Sequence, residues 1–377
     1  MIPSIFDIPQ SELFGKRVLL RADLNLPDID AGALPPSSLR VDAIIPTVLH
    51  LVNAGAKVIL ATHFSDETED TDILLPILRH IGAPISRPVE SLDFIKINEA
   101  ITQLSPGAII LLSNLRTHPG EVSNSTDFAK HLASLADIYV NDAFSASHRR
   151  HASIVLLPEY LPSYAGIHFI REIDKLSDWT KSKTKKGVII GGAKFKTKIH
   201  LIRKMIDDPD VLWVIVGGAL AHNFLLARGY EVGRSLTDDT VSVDDIAFHK
   251  KIILPTMFLT ADDEEKSPES LEEVDQIVDV SPEWMLGQAH NLPPVEQVLW
   301  NGPMGWYEKG YIGGSEALLQ FLSTLDAEIF AGGGDTAQIL AAADESPRIE
   351  WLSTGGGAMI DFVIHGTLPG IQALEKE

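Results

Sequence analysis

The sequence predicts two α/β domains, each built on a doubly wound parallel sheet, with a helix joining them. Three observations carry that expectation. Short apolar runs alternate with amphipathic segments almost throughout; each run is followed by glycine or polar residues before the next amphipathic stretch; and the whole rhythm starts again near Gly187. Apolar runs without polar alternation are the mark of strands buried on both faces, and their regular exchange with helices is the mark of βαβ units. A length of 377 residues suits two domains at about 100–200 residues each.

In the first series Arg17–Arg21, Lys57–Ala61, Ala108–Leu112 and Ile138–Asn141 read as strands. Val41–Ala54, Thr71–Ile81 and Ser125–Ala136 read as helices. In the second series the strands are Gly187–Ile190, Leu212–Val216, Gln297–Trp300, Glu328–Ala331 and Ile349–Ser353. Its helices are Lys198–Ile206, Ala219–Arg228, Ser315–Thr324, Asp335–Ala343 and Gly357–His365. Ile167–Lys186 begins amphipathic and ends rich in Lys, Ser and Thr, so it reads as a connecting helix plus linker. The expected domains are residues 1–168 and 187–365, with 169–186 between them. Ala261–Glu273 is acidic and reads as a solvated loop.

Composition narrows the function. The net charge of −21 argues against nucleic acid and anionic membranes as partners. The absence of cysteine excludes disulfides, thiolate metal sites and a thiol nucleophile, and suits a cytoplasmic protein. Met1–Gln10 lacks the pattern of a secretory signal, and there is no apolar run of membrane-spanning length.

Glycines cluster where the strands of the second half end: Gly191-Gly192-Ala193-Lys194, Gly217-Gly218-Ala219, Asn301-Gly302-Pro303-Met304-Gly305, Gly332-Gly333-Gly334-Asp335-Thr336 and Ser353-Thr354-Gly355-Gly356-Gly357. Ligands of open α/β sheets bind just outside those strand ends. Glycine permits close backbone approach, and a following helix start offers free N–H groups to an anion. One such loop is ordinary turn chemistry; five on one sheet edge point to a ligand. Lys194 and Lys198, four apart, suit a polyphosphate if the helix has begun there, or else form a solvated face. Asp335 serves either as a helix cap or as a holder of Mg²⁺ on a nucleotide. The G-x-x-x-x-G-K-[ST] phosphate loop is absent, and no strand leads into G-x-G-x-x-G.

The strand ends of the first half are basic and polar instead: Arg21, Asp23 and Asn25, then His63, then Arg116, then His148, Arg149, Arg150 and His151. Guanidinium binds phosphate and carboxylate bidentately, so this set points to a small phosphorylated acid.

These residues resemble the phosphoglycerate kinase family. The resemblance rests on Val18-Leu19-Leu20-Arg21-Ala22-Asp23-Leu24-Asn25-Leu26-Pro27, Asn114-Leu115-Arg116, Asn141-Asp142-Ala143-Phe144 with His148-Arg149, the glycine loops that begin at Gly191, Gly332 and Ser353, Leu299-Trp300-Asn301-Gly302-Pro303-Met304-Gly305, and Leu368-Pro369-Gly370, in the family's order over nearly the whole chain. It implies a cytoplasmic, glycolytic kinase, expected to be monomeric. The reaction would be reversible phosphoryl transfer between ATP and the carboxylate of 3-phosphoglycerate, with 1,3-bisphosphoglycerate and ADP on the other side and Mg²⁺ on the nucleotide. It further implies that Asp23, Asn25, Arg40, His63, Arg116 and Arg149 bind 3-phosphoglycerate. Lys198, Glu308, Gly333, Gly334, Asp335 and Thr336 would bind the nucleotide, with Asp335 holding the metal. Arg40 and Lys194 would face the migrating group, and the tail, 366–377, would return to the first domain. The expected mechanism is a hinge closure over positioned charges, since a carboxylate needs no general base.

Departures from the family pattern all fall on the acid side. His63-Phe64-Ser65-Asp66-Glu67 stands where the family has His-Leu-Gly-Arg-Pro, Ser113 replaces a Glu, and Ser145-Ala146 replaces Gly-Thr. They leave room for two rival readings: a regulatory nucleotide binder without turnover, and a kinase for another small acid.

Overall fold

The computed structural model describes residues 2–25, 39–64, 84, 92–343 and 347–375. The expected helix Thr71–Ile81 and the departure at Ser65, Asp66 and Glu67 lie outside them. The chain divides into two compact units, Met1–Lys175 with Thr367–Glu377, and Leu176–Gly366.

The first unit is built on β1 (Arg17–Arg21), β2 (Lys57–Ala61), β3 (Ile109–Leu111), β4 (Ile138–Asn141) and β5 (Ser163–Ala165). They form one parallel sheet in the order β3-β2-β1-β4-β5. Val18, Leu20, Val58, Leu60, Ile109 and Val140 are fully buried, because a parallel sheet is covered on both faces. The helices α1 (Leu39–Asn53), α2 (Phe94–Gln103) and α3 (Thr126–Ser134) connect the strands. Two of them start on side-chain caps: Asp93 accepts from the Ile95 and Lys96 N–H groups, and Ser125 from Phe128 N–H. The helix α4 (Ile167–Lys181) runs across the boundary between the units. Its start is tied down by two bonds, Ile167 N–H to Thr47 Oγ1 at 2.9 Å and Phe169 N–H to Asp142 Oδ1 at 2.9 Å.

The second unit carries a six-stranded sheet. Its strands are β6 (Lys186–Ile190), β7 (Val211–Val216), β8 (Ile252–Ile253), β12 (Gln297–Asn301), β13 (Glu328–Gly332) and β14 (Ile349–Ser353). The order is β14-β13-β12-β6-β7-β8, parallel throughout. A small antiparallel sheet, β10-β9-β11, is made of β9 (Phe258–Thr260), β10 (Glu265–Lys266) and β11 (Ile277–Val280). The helices are α5 (Phe195–Asp207), α6 (Leu220–Ala227), α7 (Pro282–Asn291), α8 (Gly313–Ser323), α9 (Gly334–Ala342) and α10 (Gly356–His365). Both units are thus parallel, Rossmann-like α/β layers, as the alternation of segments predicts. The last helix, α11 (Pro369–Leu374), belongs to the first unit, where Gly370 N–H donates to Ser147 O at 2.9 Å and Leu374 is fully buried.

Three local expectations are corrected. The connecting segment does not run as linker to Lys186: the helix stops at Lys181, and Lys186 already pairs in the sheet opposite Gln297 and Val211. The helix expected from Lys198 begins three residues earlier, at Phe195, because Phe195, Ile199 and Ile202 bury one apolar stripe. Ala261–Glu273 is more than a solvated loop. Glu265–Lys266 pairs with Leu259 and Phe258, and Lys266 meets Asp275 at 2.8 Å and Glu264 at 3.4 Å, which offsets part of the local acidity.

Candidate functional site

In the first unit the strand order reverses between β1 and β4, each of which pairs with the other and leads away to opposite sides. Such a switch point opens a crevice at the strand ends, and the basic residues gather there. Asp23, nearly buried, is the hub. Its Oδ1 accepts Asn25 N–H at 3.0 Å, its carboxylate lies 3.5 Å from Arg40 Nη1, and its Oδ2 accepts the hydroxyl of Ser145. Arg40 also donates to Asn25 O. The structure therefore brings Asp23, Asn25 and Arg40 together. Ser145, one of the departures from the family pattern, supplies a hydroxyl to that hub, a role its place in the sequence did not disclose.

His63 follows β2 and is nearly buried. Burial, and then the charges of Arg21, Arg149, His151 and Arg40, hold its pKa well below the usual 6.5. Those influences place Arg149 and Arg40 near the same ring. Arg149 is half-buried, with Nε 3.3 Å from His148 Nε2. Arg116, half-buried after β3, donates its backbone N–H to Asn114 Oδ1 at 3.0 Å. Asn114 also accepts Phe64 N–H at 3.1 Å, which links the turns after β2 and β3.

Arg21 differs from the other strand-end cations. It is fully buried and bonds inward, to Ser153 Oγ at 2.9 Å, Ala22 O at 2.6 Å and His63 Nδ1 at 2.8 Å. Behind it sits Glu121, also fully buried, which accepts Ser153 Oγ–H at 2.6 Å and Ser153 N–H at 3.0 Å. Burial raises the Glu121 pKa, against the lowering effect of Arg21 and Ser153. His151 stands 3.9 Å from Glu121, with its pKa lowered to about 4 by burial and then by Arg149 and Arg21.

In the second unit the reversal falls between β6 and β12, and the glycine loops meet there. Gly191 N–H donates to Asn301 O at 3.0 Å, Gly192 N–H to Pro303 O at 2.7 Å, and Gly302 N–H to Thr336 Oγ1 at 2.9 Å. Asn301 Nδ2 donates to Gly332 O at 2.6 Å. Gly302 has φ +97° and an added Cβ would lie 2.5 Å from Gly191 O, so no larger residue fits without backbone movement. Gly333 caps α9 at φ +115°, and a Cβ on Gly356 at the start of α10 would lie 2.6 Å from Gly333 Cα. Two helix starts thus pack on glycine contact. Gly334, Asp335 and Thr336 form the first turn of α9, where N–H groups lack intrahelical partners.

A cavity of about 410 Å³ opens beside these loops, lined by Gly192, Gly218, Val280, Met304, Glu308 and Asp335 among others. Its wall is mainly apolar and backbone, with carboxylates at Asp279, Glu308 and Asp335 and one guanidinium at Arg234, the make-up of a small-molecule site. His222 also lines it and bonds Leu236 O at 2.8 Å through Nδ1; burial lowers its pKa to about 4.

Lys194 and Lys198 differ sharply. Lys194 is the exposed cap of α5, one residue before the helix proper. Lys198 is nearly buried in the first turn and donates to Gly191 O. Burial, then the nearby Lys194 charge, bring its pKa down to about 7, against the raising effect of Asp335. Lys198, Lys194 and Asp335 therefore stand within electrostatic reach of one another. Among the described residues there is no cluster of three or more His, Asp or Glu that would cage a metal ion. The exposed Asp335 in the first turn of α9 fits Mg²⁺, which is usually held by one or two carboxylates plus substrate phosphates.

Comparison with known proteins agrees over the full length. The family model for phosphoglycerate kinase matches residues 8–366. The phosphoglycerate kinase of Moorella thermoacetica is 35% identical over 388 residues, covering 97% of this chain and 98% of its own. That of a Wolbachia strain of Drosophila simulans is 35% identical over 402 residues, with 100% and 99% covered. Among solved structures, phosphoglycerate kinase from Pyrococcus horikoshii superposes with a TM-score of 0.83 at 26% identity, covering 99% of this chain and 98% of that one. The enzyme from Coxiella burnetii gives 0.76 at 29% identity, with 99% of each covered.

Proposed function

The chain belongs to the phosphoglycerate kinase family, and on that premise we propose how its residues divide the work. The chain is a glycolytic kinase that transfers phosphoryl groups between ATP and 3-phosphoglycerate. In our reading Asp23, Asn25, Arg40, His63, Arg116 and Arg149 hold the acid in the first unit. Lys198, Glu308, Gly333, Gly334, Asp335 and Thr336 hold the nucleotide in the second, with Glu308 on the ribose hydroxyls. The observation that carries this division is the contrast at the two switch points. One sets Arg40 on Asp23 and gathers the charges of Arg21, Arg149 and Arg40 about His63. The other gathers glycines, a helix start and a buried lysine beside a cavity of about 410 Å³.

The acceptor is a carboxylate, ionised at neutral pH, so no side chain need remove a proton. Its oxygen forms a bond to the γ-phosphorus as the bond from that phosphorus to the ADP oxygen breaks. What remains for the protein is to position two polyanions and offset the charge on the equatorial oxygens. Lys194 and Arg40, one exposed and one partly exposed, are suited to that task. Mg²⁺, when bound with nucleotide, supplies further neutralisation, and Asp335 would hold it. The enzyme is read as a cytoplasmic monomer; among the described residues no helix is long and apolar enough to cross a membrane.

A coupled assay with 3-phosphoglycerate and Mg-ATP tests the reading. Turnover that saturates in both substrates supports it. Tight Mg-ADP binding without turnover of 3-phosphoglycerate would favour a kinase for another acid or a regulatory binder.

A further inference from the structure

We propose that Glu121 and Ser153 are positioning residues that act through Arg21 to lock His63 as the Nε2–H tautomer, so that the ring offers one fixed hydrogen-bond donor to the bound acid. The inference rests on the assignment of His63 to the acid site made above.

The argument is one of donors and acceptors. Arginine has five N–H donors and no acceptor. Arg21 Nη2 lies 2.8 Å from His63 Nδ1. That bond exists only if Nδ1 offers its lone pair, and a neutral imidazole whose Nδ1 accepts carries its hydrogen on Nε2. Among the described residues no acceptor stands on Nε2. A doubly protonated ring would set two donors and two positive charges against each other at that distance.

Arg21 can impose this only if it cannot turn away, and three bonds hold its guanidinium. Nη1 donates to Ala22 O at 2.6 Å, Nη2 to His63, and Nε to Ser153 Oγ at 2.9 Å. The Ser153 hydroxyl has one hydrogen, which goes to Glu121 Oε1 at 2.6 Å, so its oxygen is free to accept from Arg21. Glu121 Oε2 accepts Ser153 N–H at 3.0 Å, and Tyr139 O–H donates to Ser153 O at 2.7 Å. Arg21, Glu121, Ser153 and Tyr139 are all fully buried. Every polar atom in this chain has its role dictated, from carboxylate through hydroxyl and guanidinium to imidazole. Well-packed apolar residues would often serve stability as well or better than such a buried charge pair. Its use here is to orient a ligand-facing group, as outer partners do for ligating histidines at metal centres.

The test uses the full chain with ¹⁵N-labelled histidine. A long-range ¹H–¹⁵N spectrum of the ligand-free protein at neutral pH is expected to show His63 as Nε2–H alone, the signal being assigned by its loss in His63→Gln. Ser153→Ala keeps both charges and removes the link between them. It is expected to give mixed His63 tautomers and a roughly tenfold rise in KM for 3-phosphoglycerate, with a much smaller change in kcat and in KM for ATP. Ser153→Thr, which restores the hydroxyl, should restore both readouts. A wild-type His63 carrying its hydrogen on Nδ1 would overturn the proposal whatever the variants do, and so would a Ser153→Ala protein with unchanged tautomer and KM. If the wild type fails to turn over 3-phosphoglycerate, the acid-site assignment falls, while the tautomer result still stands or fails by itself.

Discussion

On the assignment proposed above, the two units would meet anionic ligands by opposite means. The first presents side chains: Arg40 on Asp23, Arg149 and Arg21 around His63, with a buried carboxylate behind them. The second presents backbone: glycines such as Gly191, Gly218, Gly302 and Gly356 that leave no room for a Cβ, helix starts in contact, and one nearly buried lysine. A small acid has few atoms, and distinguishing it takes charged groups fixed in direction. A polyphosphate is long and repetitive, and a row of N–H groups at helix starts suits it without long side chains to order. Substitutions should therefore act differently on the two sides. In the first unit they should show mainly in the KM of the acid; in the second, in nucleotide binding, in the transferred charge, or in the stability of the loop cluster.

The largest effect is expected where neither description holds, at Lys194. It caps α5 and is exposed, so removing it should cost the fold little. If its charge matters only as charge migrates between the substrates, Lys194→Ala should lower kcat by a factor on the order of 10²–10³ with little change in either KM. Steady-state kinetics in both substrates decide this. A near-normal kcat would return Lys194 to the class of surface lysines.

Gly302→Ala probes the backbone side. The left-handed φ of +97° and the 2.5 Å approach to Gly191 O both oppose a methyl group. The chain should lose about 2–3 kcal/mol of stability, read by urea unfolding, together with affinity for Mg-ADP, read by calorimetry. Unchanged values would mean that the loop cluster yields easily and that its glycines are ordinary turn residues.

Arg149→Ala is the counterpart in the first unit. It removes a half-buried guanidinium that bonds His148 and acts on His63. The loss of a charge-assisted bond costs about 1.5–3 kcal/mol, or roughly ten- to a hundredfold in KM for 3-phosphoglycerate. KM for ATP should stay as it was. Equal changes in both would break the comparison between the units.

How much of this was legible beforehand depends on the kind of signal. The central strands were readable because Val18-Leu19-Leu20, Val58-Ile59-Leu60 and Val298-Leu299-Trp300 are unbroken apolar runs, buried throughout in the sheets. The antiparallel sheet was not: Phe258–Thr260 and Glu265–Lys266 are too short to show a period, and pairing across a turn makes them strands. The helices Phe94–Gln103 and Pro282–Asn291 went unread although Asp93 and Ser281 cap them, since a cap without a long apolar stripe is a weak local mark. At the sites, residues next to strand ends were found by position alone. Arg21 was read as one more strand-end cation, yet it turns inward to partners 132 and 42 positions away in sequence, Ser153 and His63. Glu121 escaped notice for the same reason: its part is set by Ser153, 32 positions on.

The smallest effect expected is a fraction of a proton, and it separates a buried lysine from an ordinary one. Lys198 reaches with its ammonium group among the glycines Gly192 and Gly302, and burial followed by Lys194 brings its pKa to about 7. At pH 7.5 a group of that pKa is about one-quarter protonated. Nucleotide phosphates beside it favour the charged form, so its pKa must rise on binding. The sign follows: binding of Mg-ADP at pH 7.5 should take up protons, at most about three-quarters of one per site. Below about pH 6.5 the lysine is already charged in the free protein and the uptake should fade. Calorimetric titrations in buffers of differing ionisation enthalpy give the number directly. Lys198→Arg, whose guanidinium stays charged when buried, should abolish the uptake whatever it does to affinity. Proton release, or uptake that persists in the arginine variant, would place the titrating group elsewhere and leave the second unit with a lysine no different in kind from the permanently charged cations of the first.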